Sequence, residues 1–418
     1  MKDLSRRVKK FILGLNMSAN RRWQALLVGA IFGIGIFVLA PNINDGQSKY
    51  VKENVVCEGA DCAVKVEPAK VTHLKTPKSV KAIYMTSWVA GTTDWRKSLV
   101  NFIDSSELNA VVVDVKDYTG RISFEVSDPE IAALGAPEKR IPDIGGFIKI
   151  LHDKNIYAIA RISVFQDAFL VKLRSDLAVK TKEGVAWKDY KGISWLDQCS
   201  KEVWDYTIKI AREAERVGFD ELNFDYIRFP SDGNMKNIVY TFCGDVLGGY
   251  QLGGSTSKLD LEVEPPSKAD MLEQFFKYLS DNLKDIGVPL SADLFGMVTV
   301  NTDDLNIGQV LERAAPYFDY IAPMVYPSHY PKGYNGYKNP ADHPYEIVYK
   351  GMKMASDRLI ADSSTPEKLR PWIQDFDLGA IYTAEMVNLQ KRAVYDAGLT
   401  SWMVWDASNK YTKEAFYP

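Results

Sequence analysis

A closed, parallel (β/α)8 barrel, an α/β fold, is what this sequence predicts for residues 79–418. Two observations predict it. Eight short, β-rich apolar runs recur from Lys81 onward, and helix-length amphipathic stretches separate them. Near-continuous apolar strands alternating with helices call for a parallel sheet covered on its outer faces. Eight repeats over about 340 residues fit a barrel with insertions. An open doubly wound sheet fits less well, because no G-x-G-x-x-G turn follows the first run.

The runs, in order, are KAIYMTS (81–87), AVVVDVK (110–116), YAIARISVF (157–165), ELNFDYI (221–227), PLSADLF (289–295), YIAPMVY (320–326), RPWIQDF (370–376) and TSWMVWD (400–406). Helices are expected between them, for example over Lys201–Val217 and Lys268–Lys284. In the first, Val203, Tyr206, Ile210 and Ala214 recur at helical spacing and charged residues take the opposite face. One long irregular insertion, Ser231 to Ser267, follows the fourth run directly. Loops of that length in compact domains are functional or mobile segments.

The N-terminus is of another kind. Residues 1–22 carry seven Lys or Arg against one acid, Asp3, and read as a basic cytoplasmic tail. Residues 23–41 include an uncharged apolar run from Ala25 to Ala40, close to the roughly 20 residues that span a bilayer as a helix. The preceding basic residues orient such an anchor with the bulk of the chain outside the cytoplasmic membrane. Val38-Leu39-Ala40 also resembles a signal-peptidase site, and cleavage there would give a secreted protein. Residues 42–78, polar with Pro68 and Pro77, read as a tether.

Export permits disulfides. Cys57 and Cys62 suit a small loop and Cys199 and Cys243 a second bridge, with free buried thiols as the alternative. The tail contributes +6 to a formal net charge of −3, which leaves the remainder at −9. That mildly acidic exterior argues against nucleic acid as a partner.

In a barrel, side chains at the carboxyl ends of the strands share one mouth. Read in order, those ends offer Trp88, Asp114, Lys116, Asp117, Tyr118, Arg161, Asp225, Arg228, Asp293, Tyr326, His329, Gln374, Asp375, Trp405 and Asp406. Carboxylates and amides suit sugar hydroxyls, and aromatic rings suit the apolar faces of a sugar. A lone strand-end aspartate is more often a cap for the next loop. Asp225, in LNFDYIRFP, stands out because period-2 alternation puts Asn223 on its face and turns Phe224 and Tyr226 away. Asp293, in SADLFG, occupies the next strand. Salt bridges with Lys116 or Arg161 would explain Asp114 and Asp406, and Arg228 is expected to pair with a carboxylate.

Other chemistries find little support. The four histidines form no H-x-x-H or H-E-x-x-H pair, so no metal is expected. No G-x-S-x-G elbow or phosphate-cradling loop occurs, and no cofactor is called for. Acid–base and nucleophilic work by carboxylates is left.

The motifs VKAIYMTSW, VVVDVKDYTGRISF, FDYIRFPSDG, IAPMVYPSHY, RPWIQDF and MVWDASNKYT together resemble a family of glycoside-hydrolase-like domains of unknown function within the TIM-barrel glycosidase superfamily. The likeness runs from about Ser79 to Tyr417 and implies a carbohydrate substrate. In barrel glycosidases of the α-amylase and α-galactosidase type an aspartate ending the fourth strand is the nucleophile, and Asp225 occupies the matching place. The amylase type carries its acid as a glutamate ending the fifth strand, where this chain has Asp293. The chitinase pattern D-x-x-D-x-D-x-E fails at Asn223 and Ile227. The pattern with Asn-Glu ending strand four and Glu ending strand seven finds Gln374-Asp375 instead. The expectation is a hydrolase with Asp225 as nucleophile and Asp293 as acid/base. The alternative is a carbohydrate-binding barrel without turnover, which needs no matched acid.

Overall fold

The computed structural model describes residues 71–243 and 266–417. The basic tail, the apolar run at 23–41, the tether up to residue 70, Cys57, Cys62 and the middle of the insertion lie outside them. Among the described residues no helix is long and apolar enough to cross a membrane.

Eight parallel strands close on themselves in sequence order. They are β1 (Lys81–Met85), β2 (Ala110–Lys116), β3 (Tyr157–Ser163), β4 (Glu221–Asp225), β5 (Leu290–Phe295), β6 (Tyr320–Met324), β7 (Trp372–Gln374) and β8 (Trp402–Trp405). Each lies inside the run that predicts it, and most stop short because the last residues of a run turn into the loop above the barrel. The closing β1–β8 seam pairs Ala82 with Met403 and Ile83 with Val404.

Alternation sorts the strand residues into two layers. Val111, Val113, Ala160, Leu222 and Phe224 face outward, where Phe102, Phe147, Phe275 and Leu279 of the surrounding helices cover them. Ala82, Tyr84, Val112, Tyr157, Ile159, Trp372 and Met403 fill the interior. The helices that carry most of the outer layer include α1 (Lys201–Arg216) and α2 (Lys268–Leu283). In α1, Val203, Tyr206, Ile210 and Ala214 are buried as their spacing predicts. In α2 a capping box between Ser267 and Asp270 satisfies the first backbone N–H groups.

Residues ahead of β1, within the segment read as tether, are strapped to the barrel. The Leu74 N–H donates to Asp220 Oδ1 at 2.7 Å, His73 Nε2 meets Glu215 at 3.0 Å, and Thr76 Oγ1 meets the Tyr157 hydroxyl at 3.1 Å. Cys199 and Cys243 form a disulfide that joins the start of α1 to the loop after β4.

Candidate active site

Strand register brings four charged side chains to one level of the barrel interior. Asp114 on β2 stands beside Arg161 on β3, and Arg161 beside Asn223 on β4. Phe224 pairs with Ala292, so Asp225 and Asp293 follow at matching heights on neighbouring strands. All four charged residues are buried.

Arg161 is the hub. Its Nη1 donates to Asp114 Oδ1 at 2.6 Å, its Nε donates to Asp225 Oδ2 at 3.0 Å, and its Nη2 also donates to that Asp225 oxygen. The same Nε lies 3.8 Å from Asp293 Oδ2. Asp225 Oδ1 accepts from the Tyr226 N–H at 2.5 Å. Asp293 has neutral partners: its Oδ1 accepts from Asn223 Nδ2 at 2.9 Å and from Trp372 Nε1 at 2.7 Å. Asp114 accepts from the Tyr84 hydroxyl.

Three carboxylates around one guanidinium cannot all stay ionised in a buried site without a large electrostatic cost. The Asp293 carboxyl is pushed well above the usual range by burial and by the charge of Asp225, with Arg161 opposing. Asp114 is raised by burial too, and Arg161 and Tyr84 restrain it. Burial disfavours the Arg161 charge, but Asp225 and Asp114 outweigh it and its pKa rises well above the ordinary value.

Aromatic rings wall the site. Trp405 stacks on Tyr84 with centroids 3.8 Å apart and meets Trp372 edge-on at 5.6 Å. The Arg161 guanidinium lies 4.9 Å from the Trp405 ring. Tyr326 is buried, and its phenol is raised by burial and by Asp293. At the rim Trp88 is 60% exposed, with the Arg140 guanidinium 4.5 Å from its ring. Asp117 and Glu138 hold Arg140 at 2.6 and 2.8 Å. Tyr118 is exposed. His329 packs edge-on to Tyr326 at 5.2 Å, and its pKa is lowered by burial and by the Lys191 charge.

Four expected mouth residues, Lys116, Gln374, Asp375 and Asp406, take other roles, and among the described residues Arg228 lacks the carboxylate partner expected of it. A register shift between Asp114 and Lys116 pairs Lys116 with outward-facing Ile162, so its ammonium turns out of the interior. There it meets Asp167 at 2.9 Å and the Ser163 carbonyl at 2.6 Å. Gly120, at φ +82°, packs so closely on Asp167 that an added Cβ would lie 1.8 Å from its carboxyl. The amide of Gln374 is used up bracing loops, donating to the Phe376 carbonyl at 2.8 Å and accepting from the Ser328 N–H at 3.2 Å. Asp375 and Asp406 follow the inward-facing Gln374 and Trp405 and fall on the opposite face; they accept from the Thr412 and Ser408 N–H groups. Arg228 pairs with no carboxylate among the described residues. Its Nη1 donates to the Phe229 carbonyl at 3.0 Å and to Ser231 Oγ at 3.2 Å.

Tyr226 departs from strand alternation as well. Its φ of +53°, in the left-handed region, turns the chain just after Asp225. The phenol then sits among mouth charges: its pKa is raised by burial and by Asp225, and Arg161 and Arg228 oppose. Sequence reasoning also passed over Tyr84, Asn223, Trp372 and Arg140 as site residues. Alternation on β1, β4 and β7 points to the first three, and nothing local marks Arg140. The close grouping of Asp197 with Cys199 and Cys243 offers no thiolate to a metal, because the disulfide consumes both sulfurs.

A closed (β/α)8 barrel with a buried carboxylate cluster at the carboxyl ends of its strands is the architecture of a barrel glycosidase. The chain belongs to the family described as "Putative glycosyl hydrolase domain", whose model matches residues 82–411. A hypothetical protein from Ruminiclostridium thermocellum ATCC 27405 is 32% identical over 54% of this chain and 98% of its own, with a TM-score of 0.42. The PgaB (BpsB) glycoside hydrolase domain from Bordetella bronchiseptica is 13% identical, with a TM-score of 0.57 over 81% of this chain and 97% of its own. Alpha-L-fucosidase isoenzyme 2 from Paenibacillus thiaminolyticus is 12% identical, with a TM-score of 0.55 over 81% of this chain and 48% of its own. The last two show a shared fold. No curated protein matches the sequence.

Proposed function

We propose that this chain hydrolyses O-glycosidic bonds of a poly- or oligosaccharide with Asp225 as nucleophile and Asp293 as acid and then base. The observation that carries the reading is the contrast between the two carboxyls. Asp225 is held by a guanidinium and a backbone N–H, while Asp293 is buried among neutral donors, which with the Asp225 charge goes with a pKa pushed well above the usual carboxylate range. Carboxyls in environments that push their pKa values apart suit complementary acid and base roles.

Asp225 attacks the anomeric carbon as Asp293 passes its proton to the leaving oxygen. The Asp293 carboxylate then takes a proton from water, whose oxygen displaces Asp225 and regenerates both groups. One Arg161 nitrogen reaches both carboxyls, 3.0 Å from Asp225 and 3.8 Å from Asp293. Such proximity suits the roughly 5–5.5 Å spacing of retaining enzymes better than the roughly 6.5–9.5 Å of inverting ones. The test is hydrolysis of a glycan panel by the full-length chain beside Asp225→Asn and Asp293→Asn, with the product anomer read by NMR. Retention is expected in the wild type, with a loss of about 10²–10⁴-fold on removing the acid. Wild-type rates in Asp225→Asn would remove Asp225 from the chemistry.

We place the barrel outside the cytoplasmic membrane, held by the apolar run at 23–41 or secreted if that run is cleaved. The basic tail, the run itself and the Cys199–Cys243 disulfide support this. Protease accessibility in intact and permeabilised cells tests it, and protection in intact spheroplasts would refute it.

A further inference from the structure

We infer that Arg228 is an anion-recognising group of the mouth, so that the sugar bound beside Asp225 carries a negative charge. The inference rests on the proposed hydrolase site for its location and goes beyond it in substrate class.

Among the described residues, two guanidiniums of the site are paired with acids. Arg161 meets Asp114 and Asp225, and Arg140 meets Asp117 and Glu138. Arg228 differs from both. Its plane is fixed by Trp195, whose ring lies 5.0 Å away, and by Tyr226 at 5.6 Å. Only Nη1 is hydrogen-bonded to described residues, which leaves the Nε and Nη2 edge without a protein acceptor there. Of the acids whose charge favours that of Arg228, none is ion-paired with it among the described residues, and Asp225 is held by Arg161. Asp189 accepts from the Lys191 and Ile193 N–H groups on one oxygen and from Gln166 and Trp195 on the other. Asp232 accepts from the Tyr190 N–H. Burial lowers the Arg228 pKa, whereas those of Arg161 and Arg140 are raised by their partners.

A half-buried guanidinium without an ion-pair partner keeps part of its desolvation cost, and a ligand anion offsets it. A planar guanidinium with two free parallel N–H groups fits carboxylate, sulfate or phosphate in fork geometry. A uronic acid or a sulfated sugar satisfies that chemistry; a neutral hexose does not.

The test is calorimetric binding by the full-length chain, which does not depend on turnover. Acidic probes are polygalacturonate, hyaluronate and carrageenan, and neutral probes are xylan, dextran and mixed-linkage β-glucan. Polygalacturonate against carrageenan separates carboxylate from sulfate. Wild type is expected to prefer at least one acidic probe, with affinity falling as salt rises. Arg228→Gln should weaken that binding by about 10–100-fold and change neutral binding little. Arg228→Lys, which keeps the charge without the fork, should fall between. Equal weakening toward acidic and neutral probes would reduce Arg228 to a packing residue and overturn the inference. So would unchanged acidic binding in Arg228→Gln, or no binding to any acidic probe. Arg228-dependent acidic binding without cleavage would leave the inference standing and sink the hydrolase reading. Cleavage of neutral glycans alone would do the reverse.

Discussion

The interior of this barrel holds two buried ionic clusters, one at each end, built on the same strand. At the lower end Glu221 accepts from Arg370 at 2.6 Å and from the Tyr157 hydroxyl at 3.1 Å. At the upper end Asp225, four residues along the same face of β4, shares Arg161 with Asp114 and Asp293. The lower cluster has one acid for one base. The upper has three acids for one base, and burial together with the Asp225 charge pushes the Asp293 carboxyl well above the usual range. Matched charge suits a structural role, and the unmatched charge at the mouth suits the proton-transfer role proposed for Asp293.

The sharpest break between the two ends is expected from Asp225→Asn. Activity should fall by about 10⁴-fold, as for removal of a nucleophile, while the thermal melt stays near wild type. Glu221→Ala should do the opposite. It leaves Arg370 buried without its partner and should lower stability by about 3–5 kcal/mol in chemical denaturation. If Glu221→Ala melts like wild type, the lower pair is not structural.

A carboxyl outside both clusters supplies a control. Asp375 is raised to about 6, chiefly by burial and against hydrogen bonds from Thr412, and one of its oxygens has no partner. Its folded pKa lies above the unfolded value, so its contribution is fully present below about pH 4 and is lost as pH rises through 6. Asp375→Asn keeps an acceptor for the Thr412 N–H and should remove on the order of 2–3 kcal/mol of that decline between pH 4 and 7. An unchanged profile of melting temperature against pH would exclude Asp375 as its source.

The smallest effect concerns tuning. Trp372 Nε1 donates to Asp293 and favours its ionised form. Trp372→Phe should raise the Asp293 pKa further and move the alkaline limb of kcat/KM up by about one pH unit or less. A downward shift would mean that Asp293 is not the acid.

Much of this architecture was legible because it depends on patterns that sequence records directly. Apolar runs fixed the eight strands, and alternation along ELNFD placed Asn223 and Asp225 on one inward face and Phe224 outside. What stayed hidden depends on local exceptions to alternation. The register shift after Asp114 sends Lys116 outward, and the left-handed Tyr226 brings its ring back among the mouth charges. Neither residue type announces such a turn, since positive φ is uncommon outside glycine and asparagine. Gln374, Asp375 and Asp406 sit at strand ends as expected, yet each accepts a hydrogen bond from a loop backbone N–H. Loop conformation, which decides who claims a strand-end carboxyl, has no periodic signal.

The Cys199–Cys243 bond encloses 44 residues of sequence separation, and β4 with Asp225 lies between its ends. The strand proposed to carry the nucleophile therefore sits inside a covalent ring. A protease nick anywhere in that ring leaves one molecule on a non-reducing gel and two pieces on a reducing one. The nicked chain keeps both flanks of β4 tied together, so the segment that bears Asp225 resists being lost from the barrel even after its backbone is cut.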